Sequence, residues 1–596
     1  MPDSAREDTR PTSRWGQCQD APLDEAGSFQ ILDRSRNFDL HANAMVQLIM
    51  KPHSRSLNAL ALLGTLFLVL LGKLLAADAL PTFREKWRPQ FHFTPVDTWM
   101  NDPNGMVFYE GEYHLFYQNN PYGNRWGHMS WGHAISRDLV HWEHLPLALA
   151  EEDGVMIFSG SVVVDWKNTS GFGKDGRPPL VALYTGHYTK KPLQNQHIAY
   201  SNDKGRTWTK FAGNPVLDVN MADFRDPKAM WHEPTSRWVM TLALPKEAKV
   251  HFYASPDLKR WEYVGEFGGA GATNGLWECP DLFPLRVEGG GSKWVLVVNI
   301  NPGGPAGGSG CQYFVGEFEG KRFIADPATH SRISEPLWAD WGRDFYAAVS
   351  WSDIPRHDGR RLLLGWMSNW EYANDVPTLP WRSAMTVPRD LVLRQTPAGH
   401  RLLQRPVREL NRLRDGGGSV RRTTVTEAAD WLSRRPVPSG LAELELHLDQ
   451  VPGSGVLALE CRHGRSGNTR IEADFKAGTL RIDRTRSGPS DFSTAFAGVH
   501  TAPLRVINGK LDLRLLLDTS SVEVFAQGGE TVLTDLILPE SPNLQLSLVA
   551  KGDAGNVRVD SLSLWPLRPA PAVVGNSMPA KAPPAPGDQR ASPASR

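Results

Sequence analysis

The chain has 596 residues, with Lys+Arg and Asp+Glu both at 65 and so no formal net charge. That balance removes any charge argument for a nucleic-acid or acidic-membrane partner, and the length exceeds what one hydrophobic core supports. Four scattered cysteines, Cys18, Cys279, Cys311 and Cys461, show neither a Cys-x-x-Cys pair nor zinc spacing, so no disulfide framework is expected.

Residues 1–49 are polar and patternless, and are expected to be disordered or an extension upstream of a true start at Met50. Residues 50–79 read as an export signal: Lys51, His53 and Arg55 precede the uncharged run Ala59–Gly72, and Ala77-Asp78-Ala79 supplies a small-x-small cleavage site. The run has 14 residues, short for a membrane span, so a secreted (periplasmic or extracellular) protein is expected. Left uncleaved, the segment would tether the protein to a membrane. The mature form is expected to have no membrane or nucleic-acid partner and to be a monomer or weak oligomer.

From about residue 85 strand-like segments recur. Ser-x-Asp with a following Trp appears at Ser136/Asp138/Trp142, Ser201/Asp203/Trp208 and Ser255/Asp257/Trp261, after alternating segments such as His197–Tyr200 and His251–Ala254. The repeats begin 65 and 54 residues apart, a spacing suited to propeller blades. Asp102, Ser159, Asp226, Glu278 and Asp344 follow the same beat, 52 to 67 residues apart, so five innermost strands would bring five side chains to one channel. The glycine-rich loop Pro302–Gly310 lacks the Lys and helix start of a phosphate cradle and reads as a surface loop. Past residue 400 the pattern changes. Leu444, Leu446 and Leu448 alternate with polar residues, as do Leu511–Leu515 and Val522–Val524, with Gln527-Gly528-Gly529 as a hairpin turn. The expected fold is all-β. A five-bladed β-propeller spans 85–400, a linker 401–418, a β-sandwich that supports it 419–568, and a disordered Pro/Ala-rich tail 569–596.

Three acids sit beside an aromatic or arginine and a proline. Asp102 lies in Trp99-Met-Asn-Asp-Pro-Asn-Gly105, Asp226 in Phe224-Arg-Asp-Pro227, and Glu278 in Trp277-Glu-Cys-Pro280. Asn104-Gly105 is expected to turn at positive φ. Cys279 reads as a small packing residue. A carboxylate below a sugar ring and a proton donor above it are what glycosidic cleavage requires. No metal-ligand cluster is visible among the 18 histidines, and neither metal nor cofactor is expected.

These motifs resemble the signatures of glycoside hydrolase family 32, the invertase, inulinase and levanase group. The resemblance continues through Trp131–Trp142, Phe158-Ser-Gly-Ser161, Gly365–Trp370, Ser521–Phe525 and Thr531–Leu538, so it covers about residues 88–568. It implies Asp102 as nucleophile, Glu278 as general acid/base and Asp226 as a transition-state stabiliser, the last held ionised by Arg225. Trp99, Asn101, Gln118, Trp126, Phe158, Ser159, Arg225, Asp344 and Trp370 would then contact the terminal fructose. The implied activity is retaining exo-hydrolysis of terminal β-D-fructofuranosyl residues from levan, inulin and sucrose. A fructosyltransferase on the same fold is the alternative, and a non-catalytic fructan-binding protein is hard to reconcile with three retained carboxylates. The stretches Asp165–Gly171 and Trp277–Phe283 resemble those of bacterial and fungal polymer-cleaving members, which points to levan or inulin over sucrose alone.

Overall fold

A computed structural model describes residues 83–465 and 467–575. Cys18, segment 1–49, the export segment 50–79 and residues 576–596 lie outside the described residues.

Five mainly antiparallel sheets follow one another in chain order, each built outward from an innermost strand. Those inner strands are Thr98–Tyr109, Val155–Val164, Arg225–His232, Leu276–Arg286 and Tyr346–Ser350. Each packs against the next, and the fifth returns to the first, which closes a ring as a five-bladed propeller requires. The three Ser-x-Asp repeats form the turns between the third and fourth strands of the first three sheets. In the first, Asp138 Oδ1 accepts from the Val140 and His141 amides at 3.1 and 2.9 Å, and Asp257 does the same for Lys259 and Arg260 at 3.0 and 2.9 Å. An Asp placed there replaces backbone bonds that a tight turn cannot make.

All five inner strands are bulged, and at equivalent places. Their pairing slips between Met100 and Pro103, Ile157 and Gly160, Arg225 and Lys228, Glu278 and Asp281, and Tyr346 and Val349. In two of them a proline, Pro227 or Pro280, lies within the slip, where its missing N–H costs no ladder bond, and in the first Pro103 closes the slip opposite Tyr117. Asp226, Cys279 and Ala347 lie at positive φ (66°, 45° and 51°), so the strain of the bulge falls on these non-glycine residues. The Asn104-Gly105 pair is likewise part of a strand and not the expected turn. Gly105 has φ 52° at a second slip, and a Cβ there would meet Phe116 at 2.6 Å, so the pair serves close packing inside the first sheet.

The expected 401–418 linker is shorter. Gly399–Pro406 is the outer strand of the fifth sheet, paired along its length with Arg389–Thr396, and the connection starts at residue 407. Leu402 and Leu403 are buried in it, which is why the segment stays in the sheet. Beyond it, a six-stranded and a five-stranded antiparallel sheet enclose one apolar core that includes Leu444, Leu446, Leu448, Leu513 and Val524. The α-helix found among the described residues, Val425–Ser433, opens with a capping box between Thr424 and Glu427. The start of the expected disordered tail is ordered. Val573–Val574 adds in parallel to the edge of the first sheet at Glu143 and His144, and Ala570 and Ala572 are buried. Small residues let that segment lie flat against an unpaired strand edge.

Sandwich and propeller meet through buried charge. Arg389 donates to Asp340 at 3.0 Å and to Glu523 at 2.6 Å, and His92 bridges Asp518 at 2.8 Å and Glu523 at 2.9 Å. Glu523 is the acid of the Ser521–Phe525 motif, so that motif's polar residue serves the junction.

Candidate active site

The bulges turn side chains near the N-terminal ends of the inner strands toward a common point. Asp102 Oδ2 accepts from Ser159 Oγ at 2.7 Å, across from the first sheet to the second. Its Oδ1 accepts from Asn101 Nδ2 at 2.8 Å, and Asn101 Oδ1 in turn accepts from the Trp99 indole at 2.7 Å. Asp226 Oδ2 accepts from the Cys279 amide at 2.9 Å, and the Cys279 thiol lies 3.6 Å from Asp102 Oδ2. Cys279 therefore touches two of the three acids, a closer role than the packing one expected from sequence. Arg225 Nε donates to Glu278 Oε1 at 3.0 Å, and Tyr346 donates to Glu278 Oε2. The three predicted carboxylates are thus brought into one connected cluster, fed by all five sheets.

Burial sets the electrostatics of the cluster. It pushes the Asp102 carboxyl above its ordinary range, with the Glu278 charge adding to the rise and the Ser159 and Asn101 hydrogen bonds opposing it. Asp226 is pushed up to about 7, again by burial first, with Glu278 and Asp102 adding. Arg225 opposes that rise without overcoming it, so the expectation that it simply keeps Asp226 ionised needs correction. Its guanidinium is turned to Glu278, to Asp223 at 3.1 Å and to Gln194 at 3.3 Å.

Most of the predicted contact residues surround this cluster. Ser159, Asn101 and Arg225 touch the carboxylates directly. Gln118 is nearly fully buried, its Nε2 donating to the Ile157 carbonyl at 3.0 Å. Phe158 is half-buried, stacked on His187 at 4.4 Å with Trp126 edge-on at 6.0 Å. Trp370 is half-buried and held by Ser309 Oγ, which accepts from its amide at 3.1 Å, so the glycine-rich loop has a supporting role at this rim.

Two predicted contacts are elsewhere. Trp99 is completely buried, and it supports Asn101 and Trp370 from behind without offering a surface to a ligand. Asp344 is also completely buried, pairing with Arg484 at 2.5 Å, with the Tyr372 hydroxyl at 2.5 Å and with the Leu536 amide at 2.8 Å. It belongs to the junction with the sandwich. The residue of the fifth sheet that reaches the cluster is Tyr346, two positions later, which sequence reasoning missed. The signal was present in the same beat, where the strand that follows Asp344 begins. His187 was missed as well, since nothing local marks it as Phe158's stacking partner.

Comparison with known proteins agrees along most of the described chain. Residues 92–406 match the Glycosyl hydrolases family 32 N-terminal domain and residues 409–566 the Glycosyl hydrolases family 32 C terminal. The chain is 49% identical over 512 residues to a levanase of Bacillus subtilis (strain 168), covering 84% of this chain and 74% of that protein. It is 40% identical over 509 residues to an extracellular exo-inulinase of Aspergillus ficuum, covering 80% and 94%. The crystal structure of exo-inulinase from Aspergillus awamori superposes with a TM-score of 0.75 at 37% identity, covering 82% of this chain and 100% of that one.

Proposed function

Because the chain belongs to glycosyl hydrolases family 32, and is a glycoside hydrolase, we propose that it is a secreted exo-β-fructosidase that removes terminal fructose from levan, inulin and sucrose with retention of configuration. The observation that carries the reading is the carboxylate cluster. Asp102 is hydrogen-bonded by Ser159 and Asn101 and serves as nucleophile, and Glu278, gripped by Arg225 and Tyr346, serves as general acid and then base. Asp226 accepts hydrogen bonds from fructose hydroxyls as positive charge develops on the ring. Asn101, Gln118, Trp126, Phe158, Ser159, Arg225 and Trp370 form the seat of the terminal sugar.

Relatives named levanase and exo-inulinase support hydrolysis of polymers over transfer, and the word extracellular in the name of one supports export through segment 50–79. Product analysis on levan, inulin and sucrose tests the reading. Fructose alone, released first as the β-anomer, is the expected result. A ladder of oligomers would indicate internal cleavage, lengthened sugars would indicate transfer, and α-fructose would indicate inversion; any of these overturns it in that respect.

A further inference from the structure

The inner strands that carry the carboxylates also line a cavity of about 530 Å³, on the C-terminal side of the acids. The second strand contributes Val163 and Val164 to it, the third Lys228 to Trp231, and the fourth Asp281 to Phe283. The lining starts at Lys228 and Asp281, two and three residues past Asp226 and Glu278, and reaches Trp231, roughly 16 Å from Asp226 at the usual strand pitch, so this cavity lies further along the inner strands than the carboxylates. Its volume falls within the ~300–1,000 Å³ typical of small-molecule sites.

The wall chemistry is specific. Lys228 Nζ donates to the Ser350 carbonyl at 2.5 Å and stands 3.8 Å from Asp281, whose Oδ2 accepts from the Ser350 amide at 2.6 Å. Arg361 Nη1 donates to the Trp351 carbonyl at 3.1 Å, and its guanidinium lies over Phe283 at 4.9 Å. Asp353 accepts from the Trp166 indole at 2.8 Å and from the Val164 amide at 3.1 Å. Two cations thus face two acids, and the inner wall has no net charge to select an anion. At the mouth Trp166 is 61% exposed, a large aromatic face open to solvent, with exposed Lys167 and Arg356 beside it. Donors, acceptors and an aromatic ring that Tyr109 contacts at 5.9 Å on one side and that is otherwise largely open to solvent, in a near-neutral cavity, suit a polyhydroxylated, uncharged ligand. Its hydroxyls would share the charged groups while its C–H face covers the indole.

We propose that this cavity is a second, non-catalytic carbohydrate site that takes part of a fructan chain while the carboxylate cluster works on a chain end. The proposal rests on the reading of the enzyme as a fructan hydrolase. Segment Asp165–Gly171 forms part of this cavity's mouth through Trp166 and Lys167. Holding the polymer at a second place raises the effective concentration of its ends at the first, which benefits polymers and leaves sucrose unaffected.

The test compares wild type, Trp166→Ala, Trp166→Phe and Arg356→Ala on levan, inulin and sucrose. Trp166→Ala is expected to raise KM for the preferred polymer about tenfold with kcat unchanged, the scale of one lost aromatic anchor. Trp166→Phe should keep most of the affinity, and sucrose kinetics should match wild type in every variant, which also reports an intact fold. In gels containing levan or inulin, catalytically silenced Asp102→Ala should be retarded more than Asp102→Ala/Trp166→Ala. Polymer KM unaltered in both Trp166→Ala and Arg356→Ala with equal gel mobility, or a loss on sucrose equal to that on polymer, overturns the site while the hydrolase reading stands. Failure of wild type to release fructose from any fructan overturns that reading and this site with it.

Discussion

Tyr346, on the fifth inner strand, donates its phenolic hydrogen to Glu278 Oε2 on the fourth, while Arg225 on the third holds Oε1 from the other side. A glutamate gripped at both oxygens cannot rotate away from a leaving group. Tyr346→Phe keeps the ring and removes the donor. It should lower kcat about 10- to 100-fold on sucrose and polymer alike with KM little changed. Steady-state kinetics decide it, since a tyrosine that only packed would tolerate Phe without a change in kcat.

The proposed roles separate with an activated substrate. Glu278→Ala should cripple hydrolysis of fructans by roughly 10²–10⁴-fold, because a sugar leaving group needs protonation. With a good leaving group the first step should survive, and added azide should rescue the second. Asp102→Ala should lose both substrates equally. Complete loss of the activated substrate in Glu278→Ala, with no azide rescue, would remove the acid/base assignment.

Asp226 is pushed up to about 7 by burial, so the native state binds this proton more tightly than the unfolded chain does. Its contribution to stability is fully present below the unfolded value of 3.8 and is lost as pH rises through 7. Asp226→Asn, neutral at every pH, should therefore melt higher than wild type at pH 8, with the gap closing near pH 4, while activity is lost. Thermal melts across that range check the sign; a constant gap would contradict it.

His92 works in the opposite chemical sense. Burial alone would lower it, but the hydrogen bonds and charges of Asp518 and Glu523 outweigh burial and raise it to about 9. A raised histidine stabilises fully below its unfolded value of 6.5, and that stabilisation is lost as pH rises through 9. His92→Leu, which leaves two buried carboxylates short of a partner, should cost about 3–5 kcal/mol near pH 6. Denaturant unfolding should show the penalty shrinking above pH 9.

Asp344→Ala should affect stability and leave sugar binding alone. Arg484 would be left buried without its carboxylate, at a cost of about 3–5 kcal/mol. KM for sucrose should stay at the wild-type value in folded protein. A large rise in KM would return Asp344 to the sugar site.

What the sequence by itself determined is local. Period-two alternation marked the strands, and the Ser-x-Asp turns gave the blade spacing. Three carboxylates on that beat were enough to raise the expectation of a glycosidic site, and the structure brings them into one cluster. The tertiary structure alone decided which way neighbouring residues point and whom they meet. A bulge shifts the alternation by one residue, so no period-two reading settles which side chain of Arg225-Asp226 or Glu278-Cys279 faces the acids. Asp344 lost its place in the site to Tyr346 because Arg484, 140 residues away, captures its charge before the fifth strand begins. Residues 570–574 fold back because the first sheet leaves an edge open, and an open edge exists only once the sheet has formed.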